Sequence, residues 1–236
     1  AYLADRWELF FNSRSEQFDR IERDIPKAFA EQMYRGLIQI LTSSATHAYL
    51  PLLLEDSCVR AQVRAGVSSS QRILGLRPKG IWLPEGAYRP GGSWSPPIPW
   101  GSKNGRIGID RIITDENLSH FFVENHLLPS AGSSNFGFRI SNFLHEPVLV
   151  NTAADASRLP VVFARDPDIC KQVWCGYVGY PADGVYLEFH KRHGPRRGLR
   201  YWKITDRRSG LDGKQLYYPD DVAGKIYEHA RHFCNQ

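Results

Sequence analysis

The sequence predicts an α/β protein whose strands pair in parallel and are joined by helical crossovers, and three observations carry that prediction. Segments with apolar residues three or four apart alternate with short apolar runs bounded by turn residues, in the order helix, strand, helix, strand. Polar and charged residues follow directly on the strand runs, where parallel α/β proteins bind their ligands. With 236 residues, 42% of them hydrophobic and 23% charged, the chain is long enough to bury one sizeable core, as one large domain or a piece of one. Its apolar runs fall far short of the ~20 residues that cross a bilayer, so no membrane span is expected.

Taken in order, Glu16 to Met33 carries Phe18, Ile21, Ile25, Phe29 and Met33 on one stripe and predicts an amphipathic helix, kinked at Pro26. Leu37-Ile38-Gln39-Ile40-Leu41 reads as a short buried strand closed by Thr42-Ser43-Ser44. A second helix is expected from Ser57 to Leu74, capped by Asp56 or Ser57. Lys79 to Leu83 is the next strand, and Pro84 ends it. A loop rich in Pro, Gly and Ser runs from Pro90 to Gly105; a helix over Ile109 to Asn117 then leads to the strand Phe121-Phe122-Val123. The stretch from Leu127 to Leu159 is poor in regular signal and reads as a lid. Leu159 to Ala164 is a further strand, and Asp220 to Cys234 a helix with Val222, Ile226, His229 and Phe233 on one face.

Cys58, Cys170, Cys175 and Cys234 form no CxxC pair and are too sparse for a disulfide scaffold, so a reducing, cytoplasmic setting is expected. His190 with His193, and His229 with His232, sit three apart as metal ligands on one helix face would, but no third ligand stands at a recognised spacing. No metal site is expected. The six bases Lys191, Arg192, Arg196, Arg197, Arg200 and Lys203 outweigh the whole net charge of +5, which is therefore local. Without any nucleic-acid-binding motif this patch reads as a solvated turn rather than a nucleic-acid site. Ala1 is neither an initiator methionine nor the start of a signal peptide, and a fragment of a longer chain is expected.

Three strand exits stand out: His47 after Leu37 to Leu41, Glu85 after Gly80 to Leu83, and Arg165-Asp166 after Leu159 to Ala164. Trp82, Tyr88 and Trp174 lie close to them in sequence. Aromatic side chains that stack on apolar ring faces, with charged groups for hydroxyls, suit a sugar.

The segment Gly80-Ile81-Trp82-Leu83-Pro84-Glu85-Gly86-Ala87-Tyr88-Arg89-Pro90 resembles the nucleophile motif of glycoside hydrolase family 57. Ala45 to Leu53 resembles the family's upstream histidine motif at the right separation. Phe163 to Pro167, Gln172 to Trp174 and Gly179 to His190 resemble its branching-enzyme members. The resemblance implies a distorted (β/α)7 barrel acting on α-1,4-glucans by a retaining mechanism. It implies Glu85 as nucleophile, His47 as a contact to the sugar at the −1 subsite, and Trp174 as part of the substrate platform. Tyr88, Trp82, Arg165 and Asp166 are the further substrate-binding candidates. No metal or organic cofactor is implied, since both chemical roles fall to carboxyl groups.

The resemblance also implies that residues 1–236 are the central portion of a barrel. Its first strand is expected before residue 1 and its acid/base Asp beyond Gln236, with Asp166 or Glu124 as the only stand-ins inside. No Tyr occurs between Tyr88 and Tyr177, where branching enzymes of this kind carry one at the tip of the loop, and Gly86 stands where the motif usually has Cys. An α-amylase-like hydrolase is the alternative enzyme, and a non-catalytic carbohydrate-binding barrel the alternative from another class.

Overall fold

The computed structural model describes residues 1–124, 127, 146–150, 158–193, 198–205 and 213–236. In chain order the elements are helix α1 (Tyr2–Arg20), α2 (Ile25–Tyr34), α3 (Asp56–Leu74), strand β1 (Gly80–Trp82), β2 (Gly92–Trp94), β3 (Asn104–Arg106), α4 (Ile109–Asp115), β4 (His120–Val123), β5 (Val148–Leu149), β6 (Val161–Ala164), α5 (Pro167–Trp174) and α6 (Val222–Cys234). They fall into two compact units, one of residues 21–166 and one of residues 1–20 with 167–236.

The larger unit is α/β. Its sheet runs β1-β4-β6-β5, with β1, β4 and β6 parallel and β5 antiparallel at the edge. Thr42 extends it beyond β1 by a parallel bridge to Ile81, held by Thr42 N–H to Gly80 O and Trp82 N–H to Thr42 O. One face of the sheet presents Ile81, Phe121, Val123 and Val162, all buried, to Val59, Val63 and Val67 of α3 and Ile109, Ile112 and Ile113 of α4. The four-residue spacing on α3 puts its three valines on one stripe, and burying each such side chain contributes about 1.5 to 3 kcal/mol. The opposite face aligns Trp82, Phe122 and Phe163 in register, their rings stacked 5.7 and 5.2 Å apart.

Several expectations are corrected. The helix over Glu16 to Met33 is two helices: Glu22 and Arg23 turn left-handed, and Asp24 caps α2 by accepting from Lys27 N–H at 2.9 Å. Pro26 therefore starts a helix instead of kinking one, because its missing N–H falls among the first-turn donors that have no intrahelical partner. The buried strand over Leu37 to Leu41 shrinks to the bridge at Thr42, and Leu37 and Ile38 are exposed. The loop from Pro90 to Gly105 holds most of an antiparallel ribbon, β2 paired with β3, which ends one residue later at Arg106. The proposed lid from Leu127 to Leu159 lies mostly outside the described residues.

In the smaller unit, α6 places His229 and His232 on one face as expected, where the Nδ1 of each ring meets a phenol: His229 meets Tyr186 at 2.8 Å and His232 meets Tyr180 at 2.7 Å. His190 and His193 are not on a helix. Residues 194–197 of the basic segment lie outside the described residues; of the others, Arg200 packs its guanidinium 4.7 Å from the centre of the Phe189 ring.

Candidate active site

The parallel strands deliver four side chains to one end of the sheet of the larger unit. Glu85 lies just past β1, in a single 3-10 turn from Pro84 to Gly86 that the chain enters because Pro84 has no N–H to continue a strand. Glu85 itself is left-handed (φ 57°, ψ 16°), and Gly86 follows at φ 60°. For a residue with a Cβ that conformation costs about 1 kcal/mol or more, so it persists only where its surroundings fix it. Such strain clusters at functional sites.

His47 lies five residues past the Thr42 bridge, and its Nε2 is 2.7 Å from Oε1 of Glu85. A carboxylate can only accept, so His47 donates from Nε2 in this pair. Both side chains are largely open, at 70% and 64% exposure, which makes the pair a matter of orientation more than of stability. Glu124 follows β4 and receives a hydrogen bond from Arg165, the first residue after β6. The Arg165 guanidinium in turn sits 5.9 Å from the centre of the Trp82 ring. Glu124 N–H donates to Gly86 O at 3.3 Å, which ties the Glu85 turn to the neighbouring strand. A Cβ on Gly86 would stand 3.1 Å from Glu124 N and 3.3 Å from its Cγ, so this position stays open for the Glu124 side chain.

The structure thus brings together His47, Glu85, Trp82 and Arg165 of the residues singled out in the sequence. Asp166 follows Arg165 and is half-buried. Tyr88 does not join them. Its ring is buried at 5% exposure, stacked on Phe121 on the core side of the sheet, and its hydroxyl donates to Asp110 Oδ1 at 2.9 Å. It is a core residue, because the two successive left-handed residues 85 and 86 redirect the chain to the other face. Trp174, at the end of α5, belongs to the smaller unit and is 75% exposed. Glu124, weighed in the sequence only as a stand-in acid, proves to be part of the cluster. The signal for it was the strand-exit rule itself, applied to Phe121-Phe122-Val123.

Behind the sheet a second charged group supports the loop. Asp56 Oδ1 accepts from Arg106 Nε at 2.6 Å and from Arg89 at 3.4 Å, and its Oδ2 accepts from Ile107 N–H at 3.0 Å. Asp56 or Ser57 was expected to cap α3; the cap position falls on Glu55, whose side chain makes no capping bond, and the Asp56 carboxylate serves these arginines instead. Among the described residues, no three His, Cys, Asp or Glu side chains gather as a metal site, and no helix is long and apolar enough to cross a membrane.

A carboxylate held at a strand end beside a histidine, with an aromatic face and an arginine–glutamate pair next to it, can attack an anomeric carbon and orient sugar hydroxyls. The likenesses to known proteins point the same way. The 1,4-alpha-glucan branching enzyme TK1436 of Thermococcus kodakarensis is 38% identical over 234 residues, covering 96% of this chain and 33% of that protein. The crystal structure of TK1436, a GH57 branching enzyme in complex with glucose and additives, matches with a TM-score of 0.80 at 37% identity, over 96% of this chain and 40% of that one. The GH57-type branching enzyme of Pyrococcus horikoshii gives 0.78 at 35% identity, over 95% and 38%. The alpha-amylase AmyC of Thermotoga maritima gives 0.75 at 26% identity, over 98% and 43%. The chain therefore spans about a third of the length of the curated branching enzyme it matches. A sequence model of glycosyl hydrolase family 57 fits residues 9–177, well over half of the chain, and the chain belongs to that family.

Proposed function

We propose that this chain carries the nucleophile side of a retaining α-glucan active site, and that the protein it represents forms α-1,6 branches on α-1,4-glucans. The observation that carries the reading is the Glu85–His47 pair at the end of the parallel sheet. Glu85 would attack the anomeric carbon to give a covalent glycosyl-enzyme, with His47 orienting the carboxylate and contacting the sugar. Trp82 and Arg165 would border the −1 subsite, and Trp174 keeps the platform role that its motif implies. A retaining enzyme needs a second carboxyl group ~5 to 5.5 Å away, which protonates the leaving oxygen and later deprotonates the acceptor. When the acceptor is a glucan 6-hydroxyl the product is a branch; when it is water the product is a shorter chain.

We assign that second carboxyl to a residue outside 1–236, and read the α/β sheet as the central part of a distorted (β/α)7 barrel. Support comes from the aromatic face of Trp82, Phe122 and Phe163, which is only partly buried, whereas the opposite face is sealed. Inward faces of such barrels are filled by side chains from strands all round the ring. The four cysteines, all free, support a reducing cytoplasmic setting and with it a place in storage-glucan synthesis. The hydrolytic reading is favoured by the likeness to AmyC.

The test is Glu85→Gln in the protein as its gene encodes it. Turnover should fall by orders of magnitude while glucan binding persists, and wild-type products treated with a debranching enzyme should release side chains. Wild-type-like rates in the variant would remove Glu85 as nucleophile; products without α-1,6 linkages would establish the hydrolase.

A further inference from the structure

The backbone of Glu85 is held in a conformation it would not adopt unaided, and the anchors responsible lie on the far side of the sheet from the site. Three residues past Glu85, Tyr88 is clamped in the core: its ring stacks on Phe121 at 5.4 Å, and its hydroxyl donates to Asp110 Oδ1 at 2.9 Å. Asp110 is itself 1% exposed and opens α4, so it moves only if the helix moves. One residue further, Arg89 O accepts from Ile109 N–H at 3.1 Å, in the same turn of α4. On the upstream side Leu83 is fully buried and accepts from Gly86 N–H at 2.8 Å. The turn Pro84–Glu85–Gly86 is thus stretched between two buried anchors, and the Glu85 side chain projects from its crest.

We infer that Asp110, acting through the Tyr88 hydroxyl, is a positioning residue that holds the Glu85 carboxylate in its attacking geometry. This inference rests on Glu85 being the nucleophile. Freed from Tyr88, residues 85–87 can relax toward right-handed backbone, which swings the Glu85 Cα–Cβ direction away from His47. A displacement of about 1 Å at a reacting group costs on the order of 100-fold in rate. Neither Tyr88 nor Asp110 touches the substrate in this scheme, so ground-state binding is spared.

The experiment compares Tyr88→Phe, Asp110→Asn, Asp110→Ala and the double variant Tyr88→Phe/Asp110→Ala, in the protein as its gene encodes it, well below its melting temperature. Tyr88→Phe removes one oxygen and keeps the stacked ring. It should lower kcat by about 10- to 100-fold and change KM by less than about twofold. Asp110→Asn retains an oxygen to accept from the phenol and should stay within about threefold of wild type. The Asp110 carboxyl also accepts from the backbone N–H groups of Asp110 and Arg111, so the double variant should be no slower than Asp110→Ala alone, in which the Tyr88 link is already broken. A purely structural role would lower Tm and leave kcat per folded molecule unchanged, and that result overturns the inference. So would multiplicative losses in the double variant. Should Asp110→Ala fail to fold, the contrast of Tyr88→Phe with Asp110→Asn decides by itself. Glu85→Gln run alongside separates the two levels: if it is active, the nucleophile reading fails; if it is inactive while Tyr88→Phe is at wild-type kcat, only the positioning role fails.

Discussion

Replacing Gly66 by alanine puts two effects of opposite sign against each other. In a helix interior, alanine is favoured over glycine by about 1 kcal/mol, because glycine loses more backbone freedom on folding. Gly66 lies in the middle of α3, however, where the helix meets the segment that leads to His47. An added Cβ would stand 1.8 Å from the carbonyl oxygen of Ser43, against about 3.4 Å for ordinary contact. The clashing group is backbone, so no side chain can rotate away. Either α3 or residues 43–45 must retreat by roughly 1.5 Å, straining the bonds of Thr42 to β1 and of Ala45 N–H to Gln62 O. Overpacking of this kind costs about 3 kcal/mol, which leaves a net loss of about 2 kcal/mol. For a unit of this size that lowers Tm by roughly 5 °C. Gly224 in α6 is the control, because a Cβ there meets nothing within 4 Å. Gly224→Ala should be neutral or stabilising by up to about 1 kcal/mol. Thermal melts and denaturant titrations of the two variants check the contrast, and turnover of Gly66→Ala should fall as well, since His47 rides on the displaced segment. Equal stabilisation by both substitutions would show that α3 does not make the approach described.

Three other outcomes are expected. His47→Ala should lower kcat more than it raises KM, whereas Trp174→Ala should affect both, as stacking binds and orients the ring; steady-state kinetics on a glucan oligosaccharide separate them, and effects confined to Tm would refute both roles. Burial holds the His120 imidazole below its ordinary range, so from about pH 6.5 downward the unfolded chain takes up the proton first and stability falls until the pH passes the folded value. His120→Gln should lack that part of the pH dependence of unfolding, and an unchanged curve would show that His120 titrates normally. If the general acid lies outside them as proposed, residues 1–236 expressed alone should show no glucan transfer, since loss of general acid catalysis costs ~10²- to 10⁴-fold; activity in that polypeptide would point to Asp166 or Glu124 as the acid.

What could be read from the sequence was whatever a short-range rule reports. Strand exits hold polar residues for a topological reason, so His47, Glu85 and Arg165 were legible, and the same rule reaches Glu124. Tyr88 was misplaced because side-chain parity after a strand holds only while the backbone stays extended. Two left-handed residues intervene, and nothing about a glutamate announces a positive φ. Glu22 and Arg23 hid the break between α1 and α2 in the same way. Leu37 to Leu41 has the composition of a buried strand, but composition cannot say what neighbour covers it, and there only Thr42 pairs. Asp56 caps helices by residue type; the distant Arg89 and Arg106 claim it instead, and no local pattern shows contacts across 33 and 50 residues.

Along β1 and just past it, Ile81 enters the core, Trp82 faces the site and Leu83 returns to the interior, two residues before Glu85. Sequence length is therefore a constrained quantity here. One inserted or deleted residue between Gly80 and Glu85 would send Trp82 into the valine stripe of α3, Ile81 toward the candidate site, and Glu85 off the crest of its turn. The loop joining β2 to β3, by contrast, closes on solvent at Trp100, which is 82% exposed, and changes of length there leave the register of the parallel sheet untouched. Among relatives, or in a library with randomised spacing, gaps should be absent from residues 80–85 and frequent over 95–103. The alignment of such sequences can be anchored on the first segment alone.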